Sequence, residues 1–167
     1  ILRDLNIFFK VIKKNNLYED DIQKFNLDFA NHSQKFCSNI SFLKIDIKNT
    51  VQNYNNELKN YFEDLDATKN NFFTDVSNYL MYETGQPTHC YDSKKIIGKI
   101  ALVEIDDEII FETLLDQKIT LKDKNHIFLM NDTPINLAGI MGAKNTACST
   151  ETTSIILECC LLYTSDA

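Results

Sequence analysis

The sequence has 167 residues, enough for one ordinary domain and a short appendage, and its 44% of apolar residues can form a sizeable core. The net charge of −7 argues against a free-standing nucleic-acid-binding protein, because such proteins usually carry a basic surface. Residues 1–50 hold eight basic and six acidic residues, a net charge of +2, so the rest of the chain carries −9. Any contact with RNA would therefore draw positive charge from other parts of a larger assembly.

The five cysteines indicate reduced thiols. They are odd in number and irregularly spaced, and no secretory signal peptide is recognisable, which favours a cytoplasmic protein without disulfides. No Cys-x-x-Cys pair occurs and the three histidines lie far apart, so no zinc site is expected. No apolar run approaches the roughly 20 residues that span a membrane, so no membrane association is expected.

The first part of the chain predicts a helix, a linker, a strand and a second helix. Apolar residues recur every three or four positions over 1–16, which predicts a helix, and its abrupt start predicts that the chain is cut from something longer. The polar stretch 17–35 is predicted to be a linker. Partial alternation of apolar residues predicts a strand within 36–47, and one apolar face predicts a helix over 51–66.

The middle of the chain predicts a helix between two short extended segments. A strand is expected over 70–75 and a helix over 75–84, which stops at Gly85 because glycine favours the left-handed conformation that ends helices. Residues 86–89 are predicted to form a loop, since Pro87 keeps the residue before it extended.

From residue 99 the pattern becomes strand-like. Six strands are predicted there, at 99–105, 109–114, 118–121, 126–131, 135–140 and 154–161. The order of elements predicts an α+β fold, with a helix-rich N-terminal half and a mixed, mostly antiparallel β-sheet in the C-terminal half. Residues 161–167 continue the last strand poorly and are predicted to be a non-native tail.

Two segments contain residues that suit a binding site. Residues 78–92 place a helix, a glycine and a proline-stiffened loop before His89, which fixes the direction of the imidazole; alternatively, this histidine only locks the loop by bonding a backbone carbonyl. Residues 135–143 contain Gly139 and Gly142, where the backbone could approach a ligand closely or simply form an unusual turn. No Gly-Lys-Ser/Thr follows, so this is not a phosphate-binding loop.

A third segment, 151–158, ends in Glu158 after three aliphatic residues. A carboxylate within an apolar strand is costly unless a cation, backbone donors or a ligand hydroxyl pairs with it. Alternatively, Glu158 lies on an edge strand and faces water. Taken singly, each of the three segments leaves a structural and a functional interpretation open.

In order and spacing, these segments together resemble the editing region, of the B3/B4 type, in the beta subunit of bacterial phenylalanine–tRNA ligases. That family shows Asn-Tyr-Val-x-x-Glu-x-Gly-Gln-Pro-x-His-Ala-Phe-Asp, a Leu-Asp-Gly-like turn, Ala/Gly-Gly-Ile/Val-Met/Phe-Gly-Gly and Asp/Glu-Thr-x-x-aliphatic-Leu-Glu-Ser/Cys-Ala. The matching segments here are 78–92, 115–117, 138–143 and 151–160. The resemblance predicts an editing domain over 36–160. It extends loosely to the helix at 1–16, which resembles the helix at the end of a preceding domain in that family.

The resemblance implies an activity and a site. In that family, this region hydrolyses the ester when tyrosine instead of phenylalanine has been attached to tRNA(Phe). His89 matches the histidine near the ester, and Glu158 matches the glutamate that recognises the tyrosine hydroxyl. Ser77, Gly139 and Gly142 match positions that line the pocket.

The resemblance also implies the setting of this region. The whole enzyme attaches phenylalanine to tRNA(Phe) with ATP and Mg²⁺, whose sites lie mainly in the alpha subunit, and it forms a cytoplasmic alpha2beta2 heterotetramer. No cofactor is implied for the editing region itself. The alternatives are a non-catalytic RNA- or protein-binding module of the same fold and a scaffold that no longer edits.

The sequence departs from the family pattern at several positions. Ser77 replaces the threonine of Val-Asp-Val-Thr-Asn, which the family shows just before the first motif, while Cys90 replaces an alanine, Tyr91 a phenylalanine and Ala143 a glycine. The family's later Thr-Asp/Glu-Ala-Ser-x-Arg segment, which completes the pocket, is not contained in these 167 residues. Editing by the whole protein therefore remains the expectation, while this piece by itself is expected to be incomplete.

Overall fold

The computed structural model describes residues 25–47 and 54–162, and the fold is given for these ranges. The helix predicted over 1–16 lies outside them, as does most of the tail predicted over 161–167. The described residues form ten strands, two α-helices and two short 3₁₀ turns. Neither of these helices is long and apolar enough to cross a membrane.

The elements in chain order are β1 (Phe29–Asn31), β2 (Cys37–Asp46), α1 (Asn56–Asp64), α2 (Phe72–Thr84), β3 (Thr88–Asp92), a 3₁₀ turn (Ser93–Lys95), β4 (Ile100–Ile105), β5 (Ile109–Glu112), β6 (Lys118–Leu121), β7 (Asn125–Met130), β8 (Thr133–Leu137), β9 (Met141–Gly142), a second 3₁₀ turn (Lys144–Thr146) and β10 (Ser154–Leu162).

The strands form three sheets. A five-stranded sheet has the order β1-β4-β7-β8-β9, a three-stranded sheet has the order β2-β10-β3, and β5 and β6 form a hairpin. Neighbouring strands are antiparallel, except that β1 and β4 are parallel.

The five-stranded sheet is buried on both faces. Ile127 and Phe128 are successive residues of β7, so their side chains point to opposite faces, and both are fully buried. Phe128 belongs to a core cluster with Tyr91 and Ile156 of the three-stranded sheet. Ile127 packs in a second cluster with Phe111 of the β5–β6 hairpin. The three-stranded sheet therefore covers one face and the hairpin covers the other.

The prediction of a helix-rich N-terminal half is wrong, because the described part of the chain is mostly β with a small helical portion. Strand β1 lies in the stretch predicted to be a linker, and it pairs with β4. The strand predicted within 36–47 is found as β2, which pairs along its length with β10, from the far end of the described chain. A distant partner such as β4 stabilises β1 through hydrogen bonds and packing, and it cannot be predicted from the local periodicity of the sequence.

Helix α2 begins earlier than predicted, so the short strand expected before it is absent. Asn71 is its N-cap, and the side chain of this residue accepts a hydrogen bond from the Thr74 N–H at 3.1 Å. The fully buried Asp75 accepts hydrogen bonds from the Asn70 N–H at 3.0 Å and from the Tyr54 hydroxyl. The polar groups of this first turn outweigh the strand preference of the aromatic residues beside them.

The end of α2 agrees with the prediction. Gly85 has φ of +70°, and its N–H donates to the carbonyl of Met81 at 2.8 Å. The loop predicted over 86–89 is shorter than expected, because β3 already begins at Thr88 and pairs with β10. Helix α2 and strand β3 are thus joined by a tight connection.

We predict that Gly85→Ala lowers the free energy of unfolding by about 1 kcal/mol, measured by urea unfolding. Apart from its chain neighbours and its own helix backbone, no described residue has an atom within 4 Å of a Cβ added at Gly85, so the cost comes from the left-handed backbone. Gly85→Asn is the matched control and should lose less stability, because asparagine tolerates this conformation better than alanine. Equal stability of Gly85→Ala and the wild type would contradict the prediction.

Candidate functional site

All five site residues predicted from the sequence line one cavity of about 250 Å³, namely Ser77, His89, Gly139, Gly142 and Glu158. Helix α2, the start of β3, the β8–β9 turn and β10 contribute to its wall. The volume lies a little below the range of about 300–1,000 Å³ that is typical of pockets for drug-sized ligands. The cavity therefore suits a smaller group, such as an amino-acid side chain. Its other lining residues are Asn70, Thr74, Asn78, Met81, Tyr82, Pro87, Thr88, Leu114, Leu115, Asn136, Ile140 and Met141.

The pairing of β3 with β10 places His89 beside Glu158. These two residues are directly opposite each other in the antiparallel register, so their side chains lie on the same face of the sheet. On the other side of β10, Phe42 of β2 is opposite Glu158. The carboxylate therefore belongs to the central strand, and it is only 2% exposed. The alternative of an edge-strand glutamate that faces water does not apply.

Gly142 packs against the imidazole of His89. A Cβ at position 142 would lie 2.5 Å from Nε2 of His89 and closer still to Cε1, so no side chain fits there. Glycine is needed at position 142 because there is no space for a side chain. At position 139, in the β8–β9 turn, φ is +73°, a left-handed backbone conformation that favours glycine. The two glycines of this segment thus serve different physical purposes at the same cavity.

The His89 imidazole is neutral in this environment. Burial lowers the pKa of His89 to about 4. Its Nε2 atom is buried and has no hydrogen-bond partner among the described residues. Nε2 is therefore not tied to a backbone carbonyl, the structural alternative for this residue, and retains its full hydrogen-bonding capacity.

Glu158 is held by hydrogen bonds from three side chains. Its Oε2 accepts one from the Tyr91 hydroxyl and one from Nδ2 of Asn136 at 3.3 Å, and its Oε1 accepts one from Sγ of Cys160 at 3.1 Å. Burial raises the pKa of Glu158 to about 6, although these hydrogen bonds act in the opposite direction. No Lys or Arg among the described residues forms an ion pair with this carboxylate. At neutral pH, the cavity therefore contains a mostly ionised acceptor.

Ser77 fastens α2 to β3. The Thr88 hydroxyl donates to the carbonyl oxygen of Ser77 at 2.8 Å, so the Ser77 hydroxyl is the donor in the 3.0 Å contact between the two hydroxyl oxygens. Both residues line the cavity. Because Thr88 immediately precedes His89, this pair of hydrogen bonds fixes the strand end that carries the histidine.

Three partners of Glu158 are absent from the set of predicted site residues: Tyr91, Asn136 and Cys160. Asn136 is the one polar residue in the apolar segment 135–138, and this pattern could have identified its side chain as a buried hydrogen-bonding group. Tyr91 lies two positions after His89, so alternation along a strand places both on one face. The prediction of a loop up to His89 prevented that inference.

The buried Ala143 stands where the family pattern has a glycine. Its φ is −87°, a conformation that any residue adopts, so this position tolerates a side chain.

Comparison with protein families identifies the class of this region. The profile of the B3/4 domain family matches residues 37–165, most of the chain, so the chain belongs to this family. The matched segment contains β2, both helices, the cavity and β10.

The curated relatives and a solved structure specify the kind of protein. The phenylalanine–tRNA ligase beta subunit of Protochlamydia amoebophila is 40% identical over 89 residues, which are 53% of this chain and 11% of that protein. The corresponding subunit of Leptospira biflexa is 36% identical over 112 residues, 66% of this chain and 14% of that protein. The predicted resemblance to the B3/B4 region of such beta subunits is confirmed. The chain thus spans a small part of the length of these relatives.

The fold also occurs in a solved structure. An N-terminal fragment of the phenylalanyl-tRNA synthetase beta subunit from Pyrococcus horikoshii superposes with a TM-score of 0.56. The superposition covers 83% of this chain and 46% of that fragment, at 9% sequence identity. The similarity shows a common fold.

We predict that Gly142→Ala destabilises the fold by about 1–3 kcal/mol in urea unfolding, because the new Cβ overpacks the imidazole of His89. The same variant should shift the imidazole resonances of His89 in an NMR spectrum. Gly85→Ala is the control, since it adds the same methyl group in open space and should leave those resonances unchanged. Unchanged His89 resonances in Gly142→Ala would contradict the packing described above.

We predict that His89 makes the fold less stable as the pH falls. The pKa of His89 is about 4 in the folded chain and near 6.5 in the unfolded chain, so between these values only the unfolded chain binds the proton. Relative to His89→Gln, the wild type should lose on the order of 2–3 kcal/mol from about pH 7.5 to about pH 4.5. Urea unfolding at both pH values measures this difference. An NMR titration midpoint near 6.5 for His89 would refute it.

Proposed function

We propose that this region hydrolyses tRNA(Phe) that carries tyrosine in place of phenylalanine, as part of a phenylalanine–tRNA ligase beta subunit. The observation that carries the proposal is the placement of His89 and Glu158 on one face of adjacent strands and at one cavity. One of the two is a buried, mostly ionised acceptor, and the other is a neutral imidazole whose Nε2 has no hydrogen-bond partner in the described part of the chain. Recognition of a phenol and hydrolysis of an ester need these two kinds of group.

Glu158 supplies the discrimination between the two amino acids. Tyrosine and phenylalanine differ by one hydroxyl, and an apolar synthetic pocket rejects such an addition only weakly, so a second, hydrolytic site is useful. The phenol of a tyrosyl group donates a hydrogen bond to the Glu158 carboxylate. A phenylalanyl group instead covers the remaining acceptor capacity of that carboxylate without pairing it, which costs roughly 1–3 kcal/mol. The asymmetry favours binding of the wrongly charged tRNA.

His89 assists the hydrolysis through hydrogen bonding. Water attacks the ester carbonyl carbon, the bond to the ribose oxygen breaks, and tyrosine and a free ribose hydroxyl result. With a pKa of about 4, the imidazole of His89 is a weak base, so it is poorly suited to remove and keep a proton from the water. It instead orients the water or donates a hydrogen bond to the ester. The terminal hydroxyls of the tRNA complete the proton transfers.

The whole enzyme supplies what this region lacks. Its activity is the attachment of phenylalanine to tRNA(Phe) with ATP and Mg²⁺, in a cytoplasmic alpha2beta2 assembly with the alpha subunit. The names of the curated relatives support this setting, and this chain corresponds to 11–14% of the two relatives described above. The negative charge of the region is consistent with tRNA binding through other, basic parts of the assembly.

A scaffold that no longer edits is the second candidate function. One observation favours it: the carboxylate of Glu158 already accepts hydrogen bonds from Tyr91, Asn136 and Cys160. A carboxylate supplied with donors by its own protein gains less from a ligand hydroxyl than an unpaired one. The rate of tyrosine release separates the two candidates.

We predict that Glu158→Ala in the intact protein lowers the preference for Tyr-tRNA(Phe) over Phe-tRNA(Phe) by about tenfold, because the acceptor for the phenol is lost. The measurement is the release of each amino acid from the two charged tRNAs. Glu151→Ala is the matched control, since Glu151 is an exposed glutamate just before β10. Equal tyrosine release by Glu158→Ala and the wild type would exclude the role given to Glu158.

A further inference from the structure

We propose that Tyr91 is a specificity-determining residue of this cavity, because its hydroxyl takes up acceptor capacity of Glu158 that a bound tyrosyl group would use. The inference rests on the proposed function, in which Glu158 recognises the hydroxyl of the ligand. Tyr91 then sets how strongly the cavity prefers tyrosine over phenylalanine. The effect of its hydroxyl is to lower that preference.

The contacts of the carboxylate show how the capacity is used. A carboxylate has two oxygens with about four lone-pair positions. The Tyr91 hydroxyl and the Asn136 amide both donate to Oε2 of Glu158, and the Cys160 thiol donates to Oε1. Asn136 Nδ2 also lies 3.1 Å from the Tyr91 oxygen, to which it donates. An entering phenol must therefore share an oxygen with a donor of the protein.

Tyr91 reaches Glu158 from the core side. Its side chain is fully buried in the cluster shared by the two larger sheets, and it does not line the cavity, whereas Glu158 and Asn136 do. The hydroxyl stays protonated, since burial and the neighbouring carboxylate raise the pKa of Tyr91 well above its usual value. The resulting bond is a phenol donating to a carboxylate, the interaction that a tyrosyl ligand would make from the cavity.

The internal phenol has an advantage over the ligand. Strand β3 and the surrounding core hold Tyr91 in place, so its hydrogen bond involves no loss of translational freedom on binding. The ring of Tyr91 also contacts His89, with ring centroids 4.6 Å apart and planes at 81°. A phenylalanine at this position would fill the same space without a hydroxyl. Replacing Tyr91 by phenylalanine therefore removes the competing donor and leaves the packing in place.

The decisive experiment compares Tyr91→Phe with the wild type as intact proteins. Binding of L-tyrosinamide and L-phenylalaninamide is measured by calorimetry, since both resemble the aminoacyl end and contain no ester. We expect Tyr91→Phe to bind L-tyrosinamide about fivefold more tightly or better, with L-phenylalaninamide unchanged. Introducing Glu158→Gln as a second substitution should abolish this gain, because the two effects act through one carboxylate. Weaker or unchanged binding of L-tyrosinamide by Tyr91→Phe overturns the inference, as does binding by neither protein.

Tyr54→Phe is the matched control for the chemical change. It removes a phenol that donates to a different buried carboxylate, Asp75, and should leave both affinities unchanged. A gain in Tyr54→Phe equal to that in Tyr91→Phe would overturn the inference.

A measurement on the wild type does not depend on the folding of any variant. With tyrosine labelled at Cζ, saturating L-tyrosinamide should shift the Tyr91 Cζ resonance, and L-phenylalaninamide should leave it in place. An unmoved resonance at saturation overturns the inference.

Hydrolysis of Tyr-tRNA(Phe) by the same proteins tests the proposed function separately. No hydrolysis by the wild type or by Tyr91→Phe would reject editing, while the binding comparison still decides the role of Tyr91. Hydrolysis by the wild type together with unchanged L-tyrosinamide affinity in Tyr91→Phe would retain editing and reject the inference.

Discussion

The burial of one carboxylate governs the arrangement of this site. Glu158 lies in the central strand of the three-stranded sheet, where an ionised group is costly unless it is hydrogen-bonded. Three elements supply its donors, with Tyr91 from β3, Asn136 from β8 and Cys160 from β10. Satisfying this group therefore brings both larger sheets together at the cavity. The desolvation that raises its pKa also makes the carboxylate a discriminating partner for a hydroxyl.

Local patterns predicted those parts of the fold that local physics determines. The strands after residue 99 and the helix stop at Gly85 depend on alternation and on a left-handed glycine, and both were found. The helix-rich N-terminal half was predicted wrongly, because β1 lies in the predicted linker and is stabilised by β4, a partner that is distant in sequence. The strand predicted within 36–47 was found as β2. Helix α2 starts early because the side chain of Asn71 caps its first turn. The neighbouring aromatic residues had instead led to the prediction of a strand there.

The site residues expected from the sequence lie together in the structure, whereas part of the fold around them was predicted wrongly. Family motifs identified His89, Gly142 and Glu158 because the chemistry of a pocket restricts residue types at a few positions, and the structure places all three at one cavity. Asn136 and Tyr91 were not predicted, because their importance depends on a carboxylate that only the folded sheets bring near them. Because residues 86–89 were predicted to be a loop, the alternation of side chains along a strand was not applied to His89 and Tyr91, and their shared face was missed.

The order in which the chain is synthesised gives the position of β10 a further consequence. Strands β2 and β3 are made early, yet neither has a partner strand among the described residues until the last described strand emerges between them. Such non-local pairing slows folding and leaves strand edges exposed in the meantime. Glu158 arrives on that same strand, so the cavity acquires its acceptor in the step that closes the sheet. A nascent chain interrupted before β10 would therefore present two open edges, which favour aggregation.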